Sequence, residues 1–272
     1  PDAWQVETAS GERMSYDRLV LAMGATPRQL PAADGMDGVF ELRHPDDAAR
    51  LRAAAADASS AIVIGGGYIG LEVAATLAKS GKDVTVIEAA PRLLARVASP
   101  AISAFFADLH ADAGTTLITD AGVEDIAADH GGFSHVTLSD GRQLSADMLV
   151  VGIGVTPVTA LAEAAGIETG NGILVDVGMQ TSMAGIYAIG DGALQRDSAY
   201  GIRIESIHNA QDSAERAAAA INGHAPPAVQ APWFWSEQFG LRLQSAGIVP
   251  AAADDVVCPV SYTHLRAHET GY

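Results

Sequence analysis

Apolar and polar positions alternate along the chain in blocks too short for long helices and too regular for coil. Leu19-Val20-Leu21-Ala22-Met23 and Ala61-Ile62-Val63-Ile64 are unbroken apolar runs, each followed by glycine. Runs of that length with no polar face suit strands covered on both sides in a parallel sheet. Residues 4–9 and 13–23 read as strands around the turn Ser10-Gly11. The alanine-rich stretch Asp46 to Asp57 predicts a helix, and a second helix is predicted from about Gly67 to Lys79, stopped by Ser80-Gly81. Val84 to Glu88 alternates as a strand, residues 101–113 read as a helix, and short strands follow through Val151. Beyond them come a short helix and return strand over 161–177 with a turn at Asn171-Gly172, and a strand ending in a tight turn over Gly185–Asp191. A helix from His208 to Ile221 is closed by Asn222-Gly223. Pro226, Pro227 and Pro232 mark a linker, and Trp233-Phe234-Trp235 opens a further strand with the two tryptophans on one face. Strand, helix and strand in succession predict an α/β fold with a parallel sheet.

Composition narrows the function classes. The 272 residues are 49% hydrophobic and 18% charged, which is a globular balance, and the length suits about two domains. No stretch approaches 18 uninterrupted apolar residues, so no membrane span is expected, and the chain is read as cytoplasmic. The net charge of -17, with Lys79 and Lys82 the only lysines, argues against nucleic acid as a partner. Cys258 is the only cysteine, which excludes a disulfide scaffold, a cysteine zinc site and a CxxC redox pair within this sequence. No metal site is expected.

The chain repeats itself. Val6 to Pro27 aligns without a gap on Val136 to Pro157, 130 residues later, and nine of the 22 positions match. Self-similarity at a fixed offset points to one structural unit used twice. A glycine-rich turn at Gly65 precedes the second copy, so the first copy is expected to lack its opening βαβ unit ahead of Pro1. At the other end, residues 260–272 resemble the in-frame translation of a transposon adapter used in sequencing libraries. His264 and His268 stand there at i and i+4, but this tail is read as non-native and given no function.

Gly65-Gly66-Gly67-Tyr68-Ile69-Gly70 carries Gly-x-Gly-x-x-Gly at 65, 67 and 70, between a predicted strand and a predicted helix. Glu88 lies 18 residues beyond Gly70, at the end of the next strand. Together these form the dinucleotide-binding arrangement. Gly65 makes the tight turn, Gly67 admits the pyrophosphate, and Gly70 lets helix and strand pack closely. Free N–H groups at the helix start, Tyr68 and Ile69 among them, face the phosphate charge. Glu88 accepts from the adenosine ribose and repels a 2'-phosphate, which favours NADH over NADPH.

Two further segments carry a family resemblance. Thr181 to Asp191 resembles the second flavin motif of FAD/NAD(P)-binding pyridine nucleotide oxidoreductases, and Leu21-Ala22-Met23-Gly24-Ala25-Thr26-Pro27-Arg28 resembles the segment beneath their FAD. The resemblance implies that Asp191 bonds a ribityl hydroxyl and that Gly190 and the adjacent helix start face the pyrophosphate. It places Gly24, Arg28 and Ile207 along the FAD. Met23 stands where the family usually has Thr. Ile153 and Gly154, the repeat partners of Met23 and Gly24, would lie beside the nicotinamide, and Glu72 matches a position touching its carboxamide.

Arg203 to Ala210, followed by Pro232-Trp233-Phe234-Trp235-Ser236-Glu237-Gln238, resembles the ferredoxin (rubredoxin) reductase branch, which serves Rieske oxygenases and haem monooxygenases. Trp235 would then lie near the isoalloxazine, a core aromatic being the alternative. Glu237 replaces the more familiar Asp. The implied fold is two Rossmann-like nucleotide-binding domains of glutathione-reductase type, the first incomplete, with the start of a small α+β C-terminal domain. The implied division is FAD domain 1–45 and 158–225, NADH domain 46–157, and truncated C-terminal domain 226–259. The implied activity passes electrons from NADH through FAD to a ferredoxin or rubredoxin. FAD is the converter between a two-electron donor and a one-electron acceptor, and no catalytic side chain is required. A basic patch including Arg28, Arg196, Arg203 or Arg242 is expected near the flavin edge to steer the acceptor. The alternatives are an NADH oxidase or disulfide reductase of the same architecture, or a truncated fragment that binds only NADH.

Overall fold

A computed structural model describes residues 4–196 and 201–248. The predicted α/β architecture is present, built around a five-stranded sheet that is parallel throughout. Its order is Val39–Phe40, Met148–Val151, Ser60–Ile64, Asp83–Ile87 and Thr116–Ile118. Among the described residues the α-helices are, in chain order, α1 Pro45–Asp57, α2 Tyr68–Lys79, α3 Pro100–Asp112, α4 Ala160–Ala164 and α5 Ile207–Ile221.

The unbroken apolar strands have two covers to satisfy. Ala61, Val63, Val84, Val86, Met148 and Val150 face one side, where they meet Leu51 of α1, Leu71 and Ala74 of α2 and Phe106 of α3. Ile62, Ile64, Ile87, Leu149 and Val151 face the other, against Ile126, Val136 and Leu138. Those last residues belong to an antiparallel three-stranded sheet of Val123–Asp129, Gly132–Leu138 and Gln143–Ser145. Because side chains alternate along a strand, both faces can be apolar only if both are covered. A separate core lies around Leu21, Ile173, Val175, Ile186, Tyr187 and Ala217. There Leu19–Leu21 pairs in parallel with Ile186–Ala188, and α5 packs against the pair.

The repeat is structural as well as textual. In the first copy Gln5, Val6 and Glu7 pair with Ser15, Met14 and Arg13. In the second His135, Val136 and Thr137 pair with Ser145, Leu144 and Gln143, the same register moved by 130. The copies also pair with each other. Ala25, Thr26 and Pro27 run antiparallel to Pro157, Thr156 and Val155. Thr26 and Thr156 are repeat equivalents and lie opposite each other, so a local two-fold axis passes between them. The flanking hydrogen bonds obey the same symmetry: Arg28 N–H donates to the Gly154 carbonyl at 2.9 Å, and Val158 N–H to the Gly24 carbonyl at 3.0 Å.

Two sequence expectations are corrected. The strand expected over 13–23 breaks into Arg13–Ser15 and Leu19–Leu21: Tyr16 N–H bonds the Trp4 carbonyl as the next rung of the hairpin, the chain then bends at Asp17-Arg18, and Leu19 N–H changes partner to the Gly185 carbonyl. No helix starts directly after Asp191. Gly190–Gly192 form a 3-10 turn, a strand Ala193–Gln195 follows, and α5 begins only at Ile207, capped by the Ser206 hydroxyl. The tail at 260–272 and Cys258 lie outside the described residues.

Candidate functional site

The fingerprint glycines occupy positions where backbone meets backbone. Gly65 has φ of +109°, and a Cβ built there would run into the Gly152 carbonyl. A Cβ on Gly70 would strike the Gly65 carbonyl, so helix and strand could not approach as they do. Gly67, the N-cap of α2, differs: a Cβ there has nothing within 4 Å. Its open side is the room that a pyrophosphate needs next to the unbonded N–H groups of a helix start. Ile69 in the first turn of α2 is 49% exposed, a large apolar side chain left uncovered on the same rim.

Glu88 is anchored by this loop. One carboxylate oxygen accepts from Gly66 N–H at 2.6 Å and the other from Ala90 N–H at 2.7 Å. Each oxygen keeps a second lone pair for a ribose hydroxyl. Gly65 packs on Gly152, which brings the Ile153-Gly154 edge alongside the fingerprint.

The second cradle is made by Gly24 and the Gly190–Gly192 turn. A Cβ on Gly192 would lie 3.1 Å from the Gly24 carbonyl, so the two flavin-like segments are in close contact. Gly190 N–H donates to Ser213 Oγ of α5 at 3.0 Å and is spent within the protein rather than left for a ligand. Asp191 keeps a partly exposed carboxylate, paired with Arg43 at 3.3 Å, while the Arg203 guanidinium donates to the Asp191 carbonyl at 2.7 Å. Ile207, at the start of α5, is 60% exposed. Arg28 bonds the Val155 carbonyl at 3.3 Å, across the junction of the two copies.

Sequence reading missed two arginines. Arg43 stands directly before the α1 capping box, in which Asp47 accepts from His44 N–H at 2.8 Å. Those backbone bonds hold the Asp47 carboxyl below its ordinary range. The cap fixes the chain at Arg43, whose guanidinium would lie 3.1 Å from a Cβ on Gly24. Arg96 holds the corresponding place in the second copy, 3.4 Å from a Cβ on Gly154. Nothing in local sequence marks Arg96. Arg43 could have been found from its place before His44-Pro45-Asp46-Asp47.

The Trp233–Gln238 strand pairs antiparallel with Leu241–Ala246 and packs on α2. Trp233 and Trp235 lie together at 5.1 Å between ring centroids, and Phe234 turns to the other face, edge-on to Tyr68 at 4.7 Å. Burial pushes the Tyr68 phenol up to about 12. Trp235 is 39% exposed, with the Arg242 guanidinium 5.8 Å from its ring centroid. Of the other arginines expected at a flavin edge, Arg196 is committed to Glu168 at 2.6 Å and Arg203 to Glu205 at 2.6 Å. His208 is a helix-entry residue, 3.3 Å from the Gln230 side-chain oxygen. Glu72 is drawn to the hairpin, accepting from Ser236 Oγ at 2.6 Å. Among the described residues no cluster of His, Cys, Asp or Glu could hold a metal, and no helix is long and apolar enough to cross a membrane.

A parallel sheet, a glycine turn opening a helix and an acidic strand end define a Rossmann-type dinucleotide-binding protein, here with a duplicated unit closing a second cradle. The chain belongs to the pyridine nucleotide-disulphide oxidoreductase family, whose model matches residues 2–214. It is 41% identical over 255 residues to putidaredoxin reductase of Pseudomonas putida, covering 91% of this chain and 60% of that protein. It is 42% identical over 246 residues to a rubredoxin-NAD(+) reductase of the same species, covering 89% of this chain and 64% of that one. A solved ferredoxin reductase from Rhodopseudomonas palustris superposes with a TM-score of 0.91 at 42% identity, covering 97% of this chain and 66% of that one. The chain thus spans somewhat under two thirds of the curated relatives it matches.

Proposed function

We propose that this chain is the nucleotide-binding part of an NADH-dependent flavoprotein that passes electrons through FAD to a ferredoxin or rubredoxin in the cytoplasm. In this reading residues 46–157 hold NADH, 1–45 and 158–225 hold FAD, and 226–259 begin a C-terminal domain. The observation that carries it is the reciprocal pair of bonds between Arg28 and Gly154 and between Val158 and Gly24. It ties the edge of the Gly65–Gly70 cradle to the edge of the Gly24–Asp191 cradle, where two redox cofactors have to meet. Among the described residues, Gly65, Gly67, Gly70, Glu88, Ile153 and Gly154 suit NADH, and Gly24, Arg43, Asp191 and Ile207 suit FAD. Glu72 accepts from the nicotinamide carboxamide. Bound FAD would supply the change from two-electron to one-electron transfer. The protein orients the cofactors and offers Trp235, exposed and overlaid by Arg242, on the side open to an acceptor. The names of the relatives, reductases of putidaredoxin and rubredoxin, support this partner class.

The full reading frame, expressed with FAD and mixed anaerobically with NADH or NADPH, tests the reading. Flavin absorbance should bleach faster with NADH, and added ferredoxin should then carry electrons to cytochrome c. A protein that reduces oxygen as fast as any ferredoxin would return the assignment to the oxidases of the same architecture.

A further inference from the structure

A buried line of four side chains runs from α3 to Glu72. His110 Nε2 is 2.9 Å from Gln238 Oε1, Gln238 Nε2 is 3.0 Å from Ser236 Oγ, and Ser236 Oγ is 2.6 Å from Glu72 Oε1. His110, Ser236 and Gln238 are 0%, 1% and 1% exposed.

The chemistry of the groups fixes every donor. An ionised carboxylate only accepts, so Ser236 must give its proton to Glu72. The serine lone pair then accepts from the Gln238 amide, which turns Gln238 Oε1 toward the histidine. His110 must therefore carry its proton on Nε2. Its Nδ1, buried without a hydrogen-bond partner, is then a bare acceptor rather than an unpaired N–H. The line has one polarity and ends on one oxygen of Glu72, leaving the other oxygen without a partner among the described residues. Rotation of a free glutamate is thereby reduced to a single placement.

We propose that Ser236 and Gln238 are positioning residues that aim the free oxygen of Glu72 at a primary amide, the nicotinamide carboxamide. This rests on the reading of Glu72 given above. It means that a hairpin outside the dinucleotide fold sets the selectivity of the dinucleotide site. A carboxylate so held accepts the amide N–H and repels an acid at the same place.

The test uses the whole chain and two ligands, NADH and ADP-ribose, which share everything except the nicotinamide end. Binding is read by fluorescence quenching and calorimetry, without turnover. Glu72→Ala should weaken NADH about tenfold and leave ADP-ribose unchanged. Ser236→Ala should weaken NADH about fivefold with ADP-ribose unchanged. Adding Ser236→Ala to Glu72→Ala should cost nothing further, since the two act as one unit. Gln238→Met, at the far end of the line, should follow Ser236→Ala in direction and serves if that variant does not fold. Equal losses of both ligands in the Ser236 and Gln238 variants, or wild-type NADH binding by both, would overturn the positioning role. Wild-type NADH binding by Glu72→Ala would instead overturn the reading of Glu72 itself.

Discussion

Gly67 and Gly70 are three residues apart in one motif, yet the structure assigns them opposite kinds of work, and alanine separates them. At Gly70 the added Cβ meets the Gly65 carbonyl, and Val63 Cγ1 lies behind it at 3.5 Å. Alanine gains about 1 kcal/mol of helix propensity over glycine. Pushing α2 off its strand costs about 3 kcal/mol, the upper range for overpacking, because the obstacle is backbone. The expected net loss is about 2 kcal/mol, or a fall of roughly 1 M in the urea midpoint. At Gly67 the backbone has φ of -81° and ψ of 178°, which any residue adopts, and the Cβ meets nothing. Alanine caps less well than glycine by about 1 kcal/mol, but it removes a similar amount of freedom from the unfolded chain. Stability should stay within about 0.5 kcal/mol of wild type by that balance. The methyl instead occupies the space where a pyrophosphate would lie, and NADH affinity should fall at least tenfold, about 1.4 kcal/mol. Urea denaturation and NADH titration on both variants read the two effects separately. A Gly70→Ala protein as stable as wild type, or a Gly67→Ala protein that binds NADH normally, refutes the assignment.

Three further outcomes are expected. Burial holds the His110 pKa below its usual value, only partly opposed by the Gln238 hydrogen bond. The unfolded chain takes up this proton below pH of about 6.5 while the fold does not, so stability is whole above that pH and falls toward acid, by up to about 1.4 kcal/mol per pH unit. Urea midpoints between pH 5 and 7 should show that slope in wild type and a shallower one in His110→Leu; parallel slopes would remove His110 from the account. Glu88→Gln should raise NADPH affinity relative to NADH about tenfold by lifting the repulsion of the 2'-phosphate, measured by paired titrations. It should also lower stability by about 1–2 kcal/mol, since Gly66 or Ala90 N–H then faces an amide nitrogen. Arg43→Ala breaks a half-exposed ion pair and should change stability by less than about 1 kcal/mol. Flavin retained per chain should nevertheless fall, and unchanged retention would leave Arg43 a surface residue.

The central strand Ala61–Ile64 could be read from the sequence because its apolar run has no polar face, and Val84–Glu88 from its alternation, but the two-residue edge strand Val39–Phe40 is too short to carry a pattern and was not read. The glycine motif was legible from its spacing between an apolar strand and a helix, although the contacts behind it are mixed: Gly70 meets the nearby Gly65 carbonyl, Gly65 the distant Gly152 carbonyl, and Gly67 nothing. The placement of Glu72 was not legible. Its partner Ser236 is 164 residues away, and nothing in the local pattern of α2 points to a hairpin beyond a proline linker. Arg96 was missed because it meets its glycine only through tertiary packing, whereas Arg43 carried a local signal, its place before the α1 cap, that was passed over. The break after Tyr16 shows the opposite limit, since a segment read as one strand over 13–23 serves two different pairings, the hairpin with Gln5–Glu7 and the parallel pair with Ile186–Ala188.

The duplicated unit also explains why the edges of the two cradles adjoin. In parallel sheets ligands gather at the carboxyl ends of the strands. Here the strand Leu19–Leu21 leads through Gly24 into Ala25–Pro27, and the strand Met148–Val151 leads through Gly154 into Val155–Pro157. Gly24 and Gly154 are repeat equivalents, and both have positive φ, +65° and +99°. Each lets its chain turn out of the sheet at the end where a ligand would lie. The turned segments then pair antiparallel about the axis between Thr26 and Thr156. A two-fold axis at the carboxyl ends of both strands leaves the two binding edges no orientation except toward one another. The same exit turn that serves one cradle thus becomes, on pairing with its copy, the joint between the two, and in the proposed function it is where NADH and FAD meet.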